Sequence, residues 1–328
     1  MILLSWRLRA FACTAALAAM LAMAPRAAGA QAYPAQDVHF VCAFAAGSGA
    51  DVIVRFVANK LRPAVNRPII VENRPGANGN IATEYVARAK PDGYTVLVHG
   101  GSSLAANMHL YKNPPVDVAN AFQMVGTIMR QPILLAVAAN SPYKSVAELT
   151  AAMKAKGEKA SYANAFATAK VAGALYKDRA GLQTVEVTYR TAADWLNDLV
   201  SGAVDYAFVD TAFGLAQQRQ GRLRILAVTS KERMNALPDL PTLSELGYPM
   251  DIVGWWAGWV PAGTPEPVVK QLRAWFGELT ASEDAKAFFR NIGADVWTTR
   301  PEEARAYFLK EIENWGSYVR SARIEPLG

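Results

Sequence analysis

The sequence predicts an α/β protein in which helices flank a mostly parallel sheet. Short apolar runs, typical of buried strands, alternate with longer stretches whose apolar residues recur at helical spacing. Strands and helices that alternate in this way form parallel sheets covered by helices. The pattern is clearest in residues 38–61, which read VHFVCAFAAGSGADVIVRFVANKL.

This first stretch predicts a strand, a Gly-rich turn and a helix. Val38–Phe44 is the strand, Gly47–Gly49 is the turn, and apolar residues from Val52 to Leu61 lie on one helical face. A helix that begins after such a turn leaves backbone N–H groups unpaired, and its dipole favours a bound anion. We therefore expect an anion site here. A turn that only connects strand and helix would have the same small residues, and this alternative stays open.

Two sharper interpretations of the same turn fit less well. In the dinucleotide fingerprint G-x-G-x-x-G, Gly47 and Gly49 match the first two glycines and Glu72 matches the acid, but Val52 stands at the third glycine. In the nucleophile elbow G-x-S-x-G, Ser48 would need glycines where the chain has Ala46 and Ala50.

The first residues predict export. Two arginines precede an apolar run over residues 10–24, and Ala28-Gly29-Ala30 has the form of a cleavage site. The run is shorter than the roughly 20 residues that a membrane span needs. We interpret residues 1–30 as a signal peptide and expect a periplasmic mature protein.

The composition excludes several functions. Three of the 34 basic residues and none of the 28 acidic ones lie in residues 1–30, which leaves 31 against 28 and no nucleic-acid footprint. Only Cys42 remains after cleavage, so no internal disulfide is possible. The three histidines show no metal-ligand spacing, and no cofactor motif is complete.

Further elements continue the alternation. Capping signals begin helices at Ser145–Glu148 and Thr299–Glu302, and glycines suited to helix C-caps stand at positions 181, 202 and 293. The remaining strand predictions are Ile69–Glu72, Tyr94–Val98, Ile133–Ala138, Val185–Val187, Val204–Val209 and Leu223–Val228.

Residues 71–98 resemble the signature of a known family. They read VENRPGANGNIATEYVARAKPDGYTVLV, which is similar to the Bug family, the substrate-binding proteins of tripartite tricarboxylate transporters. The similarity extends in order over residues 33–320, and the stretches that carry it are Phe44–Asp51, Val187–Arg190, Ala227–Ser230, Leu237–Thr242 and Pro261–Pro265. By this resemblance the chain is identified as a member of the Bug family.

The resemblance implies a two-lobed, type II-like periplasmic binding protein, each lobe a mostly parallel sheet flanked by helices. Lobe 1 would comprise residues 31–130 and 253–328, and lobe 2 residues 131–252. A small organic carboxylate would bind in the cleft between the lobes and pass to a permease with a large and a small integral subunit. The resemblance implies no cofactor, and we expect a monomer.

The resemblance further implies that one loop from each lobe holds the carboxylate. The first loop contributes Phe44, Gly47, Ser48, Gly49, Ala50 and Asp51. The second loop departs from the family's Gly/Ser-rich pattern, and its candidates are Asn164, Phe166, Thr168 and Lys170. Other candidates follow or end predicted strands, namely His99, Ser102, Ser103, Tyr189, Arg190 and Asp210. Structural roles for His99, Phe166 and Lys170 stay open as alternatives.

The cations predicted on lobe 2 suggest a second charge on the ligand. Arg190 offers a two-pronged donor fork that suits a carboxylate. We therefore hypothesise a dicarboxylate, with an aromatic body suggested by Phe166 and the Trp255–Trp259 cluster. The alternative is that Arg190 only braces Asp210 or a neighbouring loop. A sensor that feeds a signalling kinase is the runner-up function, and a secreted enzyme is disfavoured because no nucleophile–base pair is evident.

Overall fold

The structure, a computed structural model, describes residues 33–328. The predicted signal peptide lies outside the described residues. Residues 36–328 form one compact unit.

Elements in the first part of the chain follow the predicted alternation. In order they are β1 (Val38–Cys42), α1 (Gly49–Val65), β2 (Ile69–Asn73), a 3₁₀ turn (Ala77–Gly79), α2 (Asn80–Ala87), β3 (Thr95–Gly100), α3 (Gly101–Leu110), α4 (Val118–Ala121) and β4 (Phe122–Ala138).

The alternation continues to the C-terminus. The elements are α5 (Val146–Lys156), a 3₁₀ turn (Gly157–Lys159), β5 (Ser161–Asn164), α6 (Ala167–Ala180), β6 (Val185–Thr188), α7 (Ala192–Ser201), β7 (Tyr206–Asp210), α8 (Thr211–Arg219), β8 (Leu223–Val228), β9 (Val253–Pro261), α9 (Glu266–Ala281), α10 (Glu283–Asn291), β10 (Asp295–Val296) and α11 (Pro301–Ser321).

The strands sort into two parallel groups joined by an antiparallel pair. In the first group β1 pairs in parallel with β2 and β3, and in the second β5 pairs in parallel with β6 and β7. Between them β4 and β9 run antiparallel, and the sheet order is β2-β1-β3-β9-β4-β7-β5-β6. β8 and β10 pair with β4. The predicted α/β class, with parallel strands flanked by helices, is confirmed.

The long strand β4 was predicted only in part. Its second half matches the predicted Ile133–Ala138, but its first half, from Phe122, pairs with β9 over a segment for which no strand was predicted. Pairing of β4 continues without a break from β9 to β7 and β8. One strand therefore links the two strand groups.

The predicted helix signals are mostly correct. Ser145 caps α5 by accepting from the Glu148 N–H at 3.2 Å, and Gly181 and Gly202 are left-handed C-caps. The second capping box was predicted one residue too early. Helix α11 begins at Pro301, and its capping acid is Glu303, which accepts from the Thr299 hydroxyl at 2.9 Å, rather than Glu302.

A pair of glycines on the joining strands admits one aromatic ring. Gly126 of β4 lies opposite Gly258 of β9, and Phe276 of α9 packs over both. A Cβ atom would lie 2.5 Å from Phe276 at either glycine. The Phe276 ring also stacks on Phe40 of β1, with centroids 6.2 Å apart. The small residues therefore allow α9 to pack closely on the sheet.

We expect Gly258→Ala to destabilise the protein by about 1–3 kcal/mol, because the added methyl overpacks the Phe276 ring. Gly277→Ala is the matched control on the neighbouring residue, where an added Cβ meets nothing within 4 Å. Replacing a helical glycine there is expected to stabilise by about 0.5–1 kcal/mol. Chemical denaturation of both variants measures the difference, and equal stability would contradict this packing.

Candidate functional site

Five helices begin at one cleft between the two strand groups. Each follows a parallel strand: α1 follows β1, α3 follows β3, α6 follows β5, α7 follows β6 and α8 follows β7. The cleft encloses about 680 Å³, part of it open to solvent. Its lining comprises Phe44, Ala45, Ser48, Ala50, Ile53, Gly100, Ser102, Ser103, Gln131, Ile133, Ala165, Phe166, Thr168, Arg190, Thr191, Ala192, Asp210, Gly254 and Trp256.

Helix α6 begins without a side-chain cap. Its N-cap position holds Phe166, which cannot accept a hydrogen bond through its side chain. The N–H groups of Ala167 and Thr168 have no partner within residues 33–328, although both residues are buried. Buried helix starts need partners from side chains, water or ligands. This helix start can therefore bind an anion.

Helix α3 also begins without a side-chain cap. Its N-cap is Gly100, and Ser102 and Ser103 in its first turn line the cleft. The Ser102 hydroxyl accepts from the Trp255 N–H at 3.0 Å, so its own hydrogen stays available for a ligand. Two uncapped helix starts, from different strand groups, thus face one cavity.

The first predicted loop is held by the carboxylate of Asp51. This buried carboxylate accepts from the Gly47 N–H at 2.9 Å, Arg55 Nε at 2.9 Å and Asn73 Nδ2 at 2.8 Å. Burial alone would raise the pKa of Asp51, but these hydrogen bonds outweigh it and lower the pKa. Asp51 therefore orders the loop and is absent from the cleft lining.

Ser48 and Gly49 serve the start of α1. The Ser48 hydroxyl lines the cleft and accepts from the Asp51 N–H at 3.2 Å. A Cβ atom on Gly49 would lie 2.2 Å from Asp210 Oδ1 and 3.1 Å from the Ala212 Cβ. Gly49 therefore lets the starts of α1 and α8 touch. Gly47 and Gly49 are absent from the cleft lining, whereas Ala50 belongs to it.

Asp210 and Arg190 bring opposite charges to the cleft. Asp210 caps α8 by accepting from the Phe213 N–H at 2.9 Å, and burial raises the pKa of this carboxyl. Arg190 is exposed and has no hydrogen-bond or ion-pair partner within residues 33–328. The predicted alternative, in which Arg190 braces Asp210, is not observed.

Three aromatic side chains line the cleft. Phe44 and Trp256 have ring centroids 6.4 Å apart, and Phe166 belongs to the same lining. The other two tryptophans of the predicted cluster, Trp255 and Trp259, are buried in the core and pack against Phe308. Only the middle tryptophan therefore faces the cleft.

His99 is fully buried behind the cleft rather than in its lining. Its ring packs against Phe44, with centroids 5.4 Å apart, and against Trp256 at 6.1 Å. Neither ring nitrogen has a hydrogen-bond partner within the described residues. Burial lowers the pKa of the imidazole to about 3, so the ring is neutral at physiological pH. The geometry therefore favours a structural role for His99 in packing rather than a contact with a ligand.

Three further candidates lie off the cleft lining. Lys170 pairs with Glu186 at 2.7 Å and lines a separate surface pocket rather than the cleft. The Tyr189 hydroxyl donates to Asp198 at 2.7 Å. Asn164 is buried at the end of β5. Lys170 is therefore held by its ion pair with Glu186 of β6.

Sequence reasoning missed several lining residues. Gln131 lies on the first half of β4, which was not predicted as a strand, and Thr191 caps α7 after a strand whose end was placed too early. Gln131 accepts from the Thr211 hydroxyl at 2.5 Å, and both residues are buried. The sequence signal that could have identified Gln131 as a site residue is its position as a polar residue within a mostly apolar strand.

Within residues 33–328 no three His, Cys, Asp or Glu residues are grouped to hold a metal ion. No helix of that part of the chain is long and apolar enough to cross a membrane.

Two α/β strand groups joined by antiparallel strands, with helix starts around a cleft between them, define a solute-binding protein of the periplasmic type. The sequence matches the tripartite tricarboxylate transporter family receptor over residues 53–323. The chain belongs to this family, and the resemblance to Bug proteins is confirmed. The family is one of solute-binding receptors.

Solved structures agree with this assignment. The periplasmic binding protein BugD is 31% identical with a TM-score of 0.84, over 90% of this chain and 100% of that one. Rpa4515 of R. palustris, solved with adipate, is 30% identical with a TM-score of 0.86 over the same shares. MatC of Rhodopseudomonas palustris, with bound malate, is 26% identical with a TM-score of 0.81, over 88% of this chain and 100% of that one. The two-lobed fold is therefore confirmed.

Because burial lowers the pKa of His99, we expect the free energy of unfolding to decrease in acid. Its pKa is about 3 in the folded protein against 6.5 unfolded, so below pH 6.5 the unfolded chain binds the extra proton. Stability attributable to His99 is complete above pH 6.5 and falls by up to about 1.4 kcal/mol per pH unit as pH drops towards 3. Denaturation of the wild type and His99→Gln at several pH values measures this term. Parallel pH profiles would contradict it.

The close contact between α1 and α8 at Gly49 should not tolerate a larger side chain. Gly49→Ala places a methyl against Asp210 and is expected to cost about 1–3 kcal/mol in any arrangement in which α1 and α8 touch. Ligand affinity should fall by roughly 5- to 150-fold, and scattering should show a larger radius with ligand present. Gly277→Ala serves again as the control. Unchanged affinity and radius would show that this contact is dispensable.

Proposed function

We propose that this protein captures a small organic carboxylate in the cleft and delivers it to a tripartite tricarboxylate-type permease. The observation that carries the proposal is the pair of uncapped helix starts, α3 and α6, facing one cavity. Helix dipoles stabilise a nearby anion by about 0.3–1 kcal/mol each, and by up to about 2 in partly buried sites. A carboxylate supplies the acceptors that these buried N–H groups lack.

The proposed ligand carries two carboxylates. One is satisfied by the helix starts, so a second would need its own partner in a closed cleft. Arg190 is the cleft's cation without a partner in the described part of the chain, and its fork suits a carboxylate. Two similar proteins hold dicarboxylates, adipate and malate. Lys170 has no part in this proposal, because Glu186 pairs with it.

An apolar body would join the two carboxylates. Phe44, Phe166 and Trp256 supply apolar faces, and Ile53 and Ile133 extend them. Pockets lined mainly by apolar and aromatic groups, with a few placed polar groups, typically bind ligands of this kind. Longer aliphatic or aromatic dicarboxylates therefore fit the lining better than small, heavily hydroxylated acids.

The two strand groups support a division of the protein into two lobes that would close on the ligand. We infer that residues 31–130 and 253–328 form lobe 1 and residues 131–252 form lobe 2, with β4 and β9 as the crossings. The ligand would favour the closed arrangement because it contacts helix starts from both lobes. We further infer export to the periplasm and a monomeric state, with the large and small permease subunits as partners.

A thermal-shift screen of mono- and dicarboxylates tests the proposed function. A variant of Arg190 tests whether the ligand carries a second carboxylate. Arg190→Ala should weaken a dicarboxylate by about 10- to 100-fold, the loss of a hydrogen bond to a charged group. Its monocarboxylate analogue should bind as before. Arg67→Ala, an exposed arginine outside the cleft lining, is the matched control. Equal losses for both ligands by calorimetry, or none for either, would refute the role of Arg190.

A further inference from the structure

A second cavity adjoins the cleft. It encloses about 1120 Å³, part of it open to solvent, and we call it the outer compartment. It shares Phe44, Ala45, Ala165, Arg190 and Thr191 with the lining of the cleft. The two cavities therefore lie side by side, with these five residues between them.

The floor of the outer compartment is the turn before α2. Four consecutive residues have positive φ: Gly76 at 133°, Ala77 at 47°, Asn78 at 53° and Gly79 at 93°. Asn107 Nδ2 fixes this turn by donating to the Asn78 carbonyl at 3.0 Å. The N–H groups of Ala77 and Asn78 have no partner within the described residues. Two residues of this turn that line the compartment thus have backbone donors without a partner.

Tyr111 brings a hydroxyl donor to the same wall. Its oxygen accepts from Asn78 Nδ2 at 3.1 Å, so its hydrogen is not used by that bond. Tyr111 is half-buried, and it follows α3, the helix whose start faces the cleft. The hydroxyl is therefore positioned by Asn78 and can donate to an acceptor in the compartment.

Charge in the outer compartment is set by Arg190 and Asp194. One oxygen of the Asp194 carboxylate accepts from the Thr191 N–H at 2.9 Å in the cap of α7. Arg190 lines both cavities and has no partner within residues 33–328. Asp194 keeps its negative charge when it caps α7, and the Arg190 guanidinium opposes that charge in the same lining. The unpaired N–H groups of the turn and the Tyr111 hydroxyl add neutral donors that suit an anionic acceptor.

We propose that the outer compartment binds the distal carboxylate of a long ligand whose proximal carboxylate lies at the helix starts of the cleft. Tyr111, the Ala77–Asn78 amides and Arg190 would hold this distal group. The inference rests on the proposed carboxylate-binding function and adds a subsite to it. It makes ligand length the selected property, since a short diacid reaches only Arg190 whereas a longer one also reaches Tyr111.

The test compares chain lengths by calorimetry on the purified protein. Succinate, adipate and suberate are measured beside butyrate, hexanoate and octanoate. Tyr111→Phe removes only the hydroxyl, and Tyr85→Phe, on the exposed surface of α2, is its matched control. Asn78→Asp is a second variant, because aspartate tolerates the left-handed backbone and places a negative charge beside the distal group.

Tyr111→Phe should weaken the longest diacid that the wild type binds by about 10- to 100-fold, as expected for a hydrogen bond to a charged group. Asn78→Asp should weaken it at least as much. Succinate and the monocarboxylates should bind both variants as they bind the wild type. Tyr85→Phe should change nothing, and melting curves verify that each variant is folded.

Three results would overturn the inference. If long diacids bind Tyr111→Phe and Asn78→Asp as tightly as the wild type, the outer compartment is not a subsite, while the proposed function stands. Equal losses for mono- and dicarboxylates would mean that the turn only supports the cleft. If the wild type binds none of the six acids, the proposed function fails together with this subsite.

Discussion

The antiparallel pairing of β4 with β9 is the constraint on which the rest of this molecule depends. Each of the two parallel strand groups directs its helix starts to the carboxyl ends of its own strands, where α/β proteins bind ligands. Because β4 pairs with β9 along one half and with β7 and β8 along the other, both groups are fixed to one strand. The helix starts of the two groups therefore face each other across a single cleft.

Some of the helix starts at the cleft have side-chain caps and others do not, and the uncapped starts can bind an anion. Three of the five helices satisfy their starts with side chains, namely Ser48 for α1, Thr191 for α7 and Asp210 for α8. The starts of α3 and α6 have glycine and phenylalanine instead. An internal acceptor at these two positions would compete with an anionic ligand, so the missing caps leave the donors available.

The sequence was sufficient for the α/β class, for the strand–turn–helix at residues 38–61 and for most helix boundaries, because these depend on local spacing. The cleft was less predictable. Asp51 and Lys170 are charged residues on helices near the predicted loops, and only the structure shows that Arg55, Asn73 and Glu186 already occupy them. Asn73 and Glu186 are distant in sequence from the charges they bind, so spacing along the chain does not reveal these pairs. Trp255 and Trp256 are adjacent residues of the same type, so only the structure shows that Trp256 lines the cleft and Trp255 packs in the core.

Burial of an anion between two lobes also explains why so few free charges line the cleft. A cation held in a closed, empty cleft would lose its hydration without compensation, whereas backbone amides are neutral and cost less to bury. Helix starts therefore provide attraction for an anion with a small penalty in its absence. Arg190 avoids the penalty differently, because its exposed guanidinium remains hydrated until a ligand arrives. The cleft thus combines neutral backbone donors at two helix starts with one exposed cation, Arg190, an arrangement suited to binding and releasing an anionic ligand.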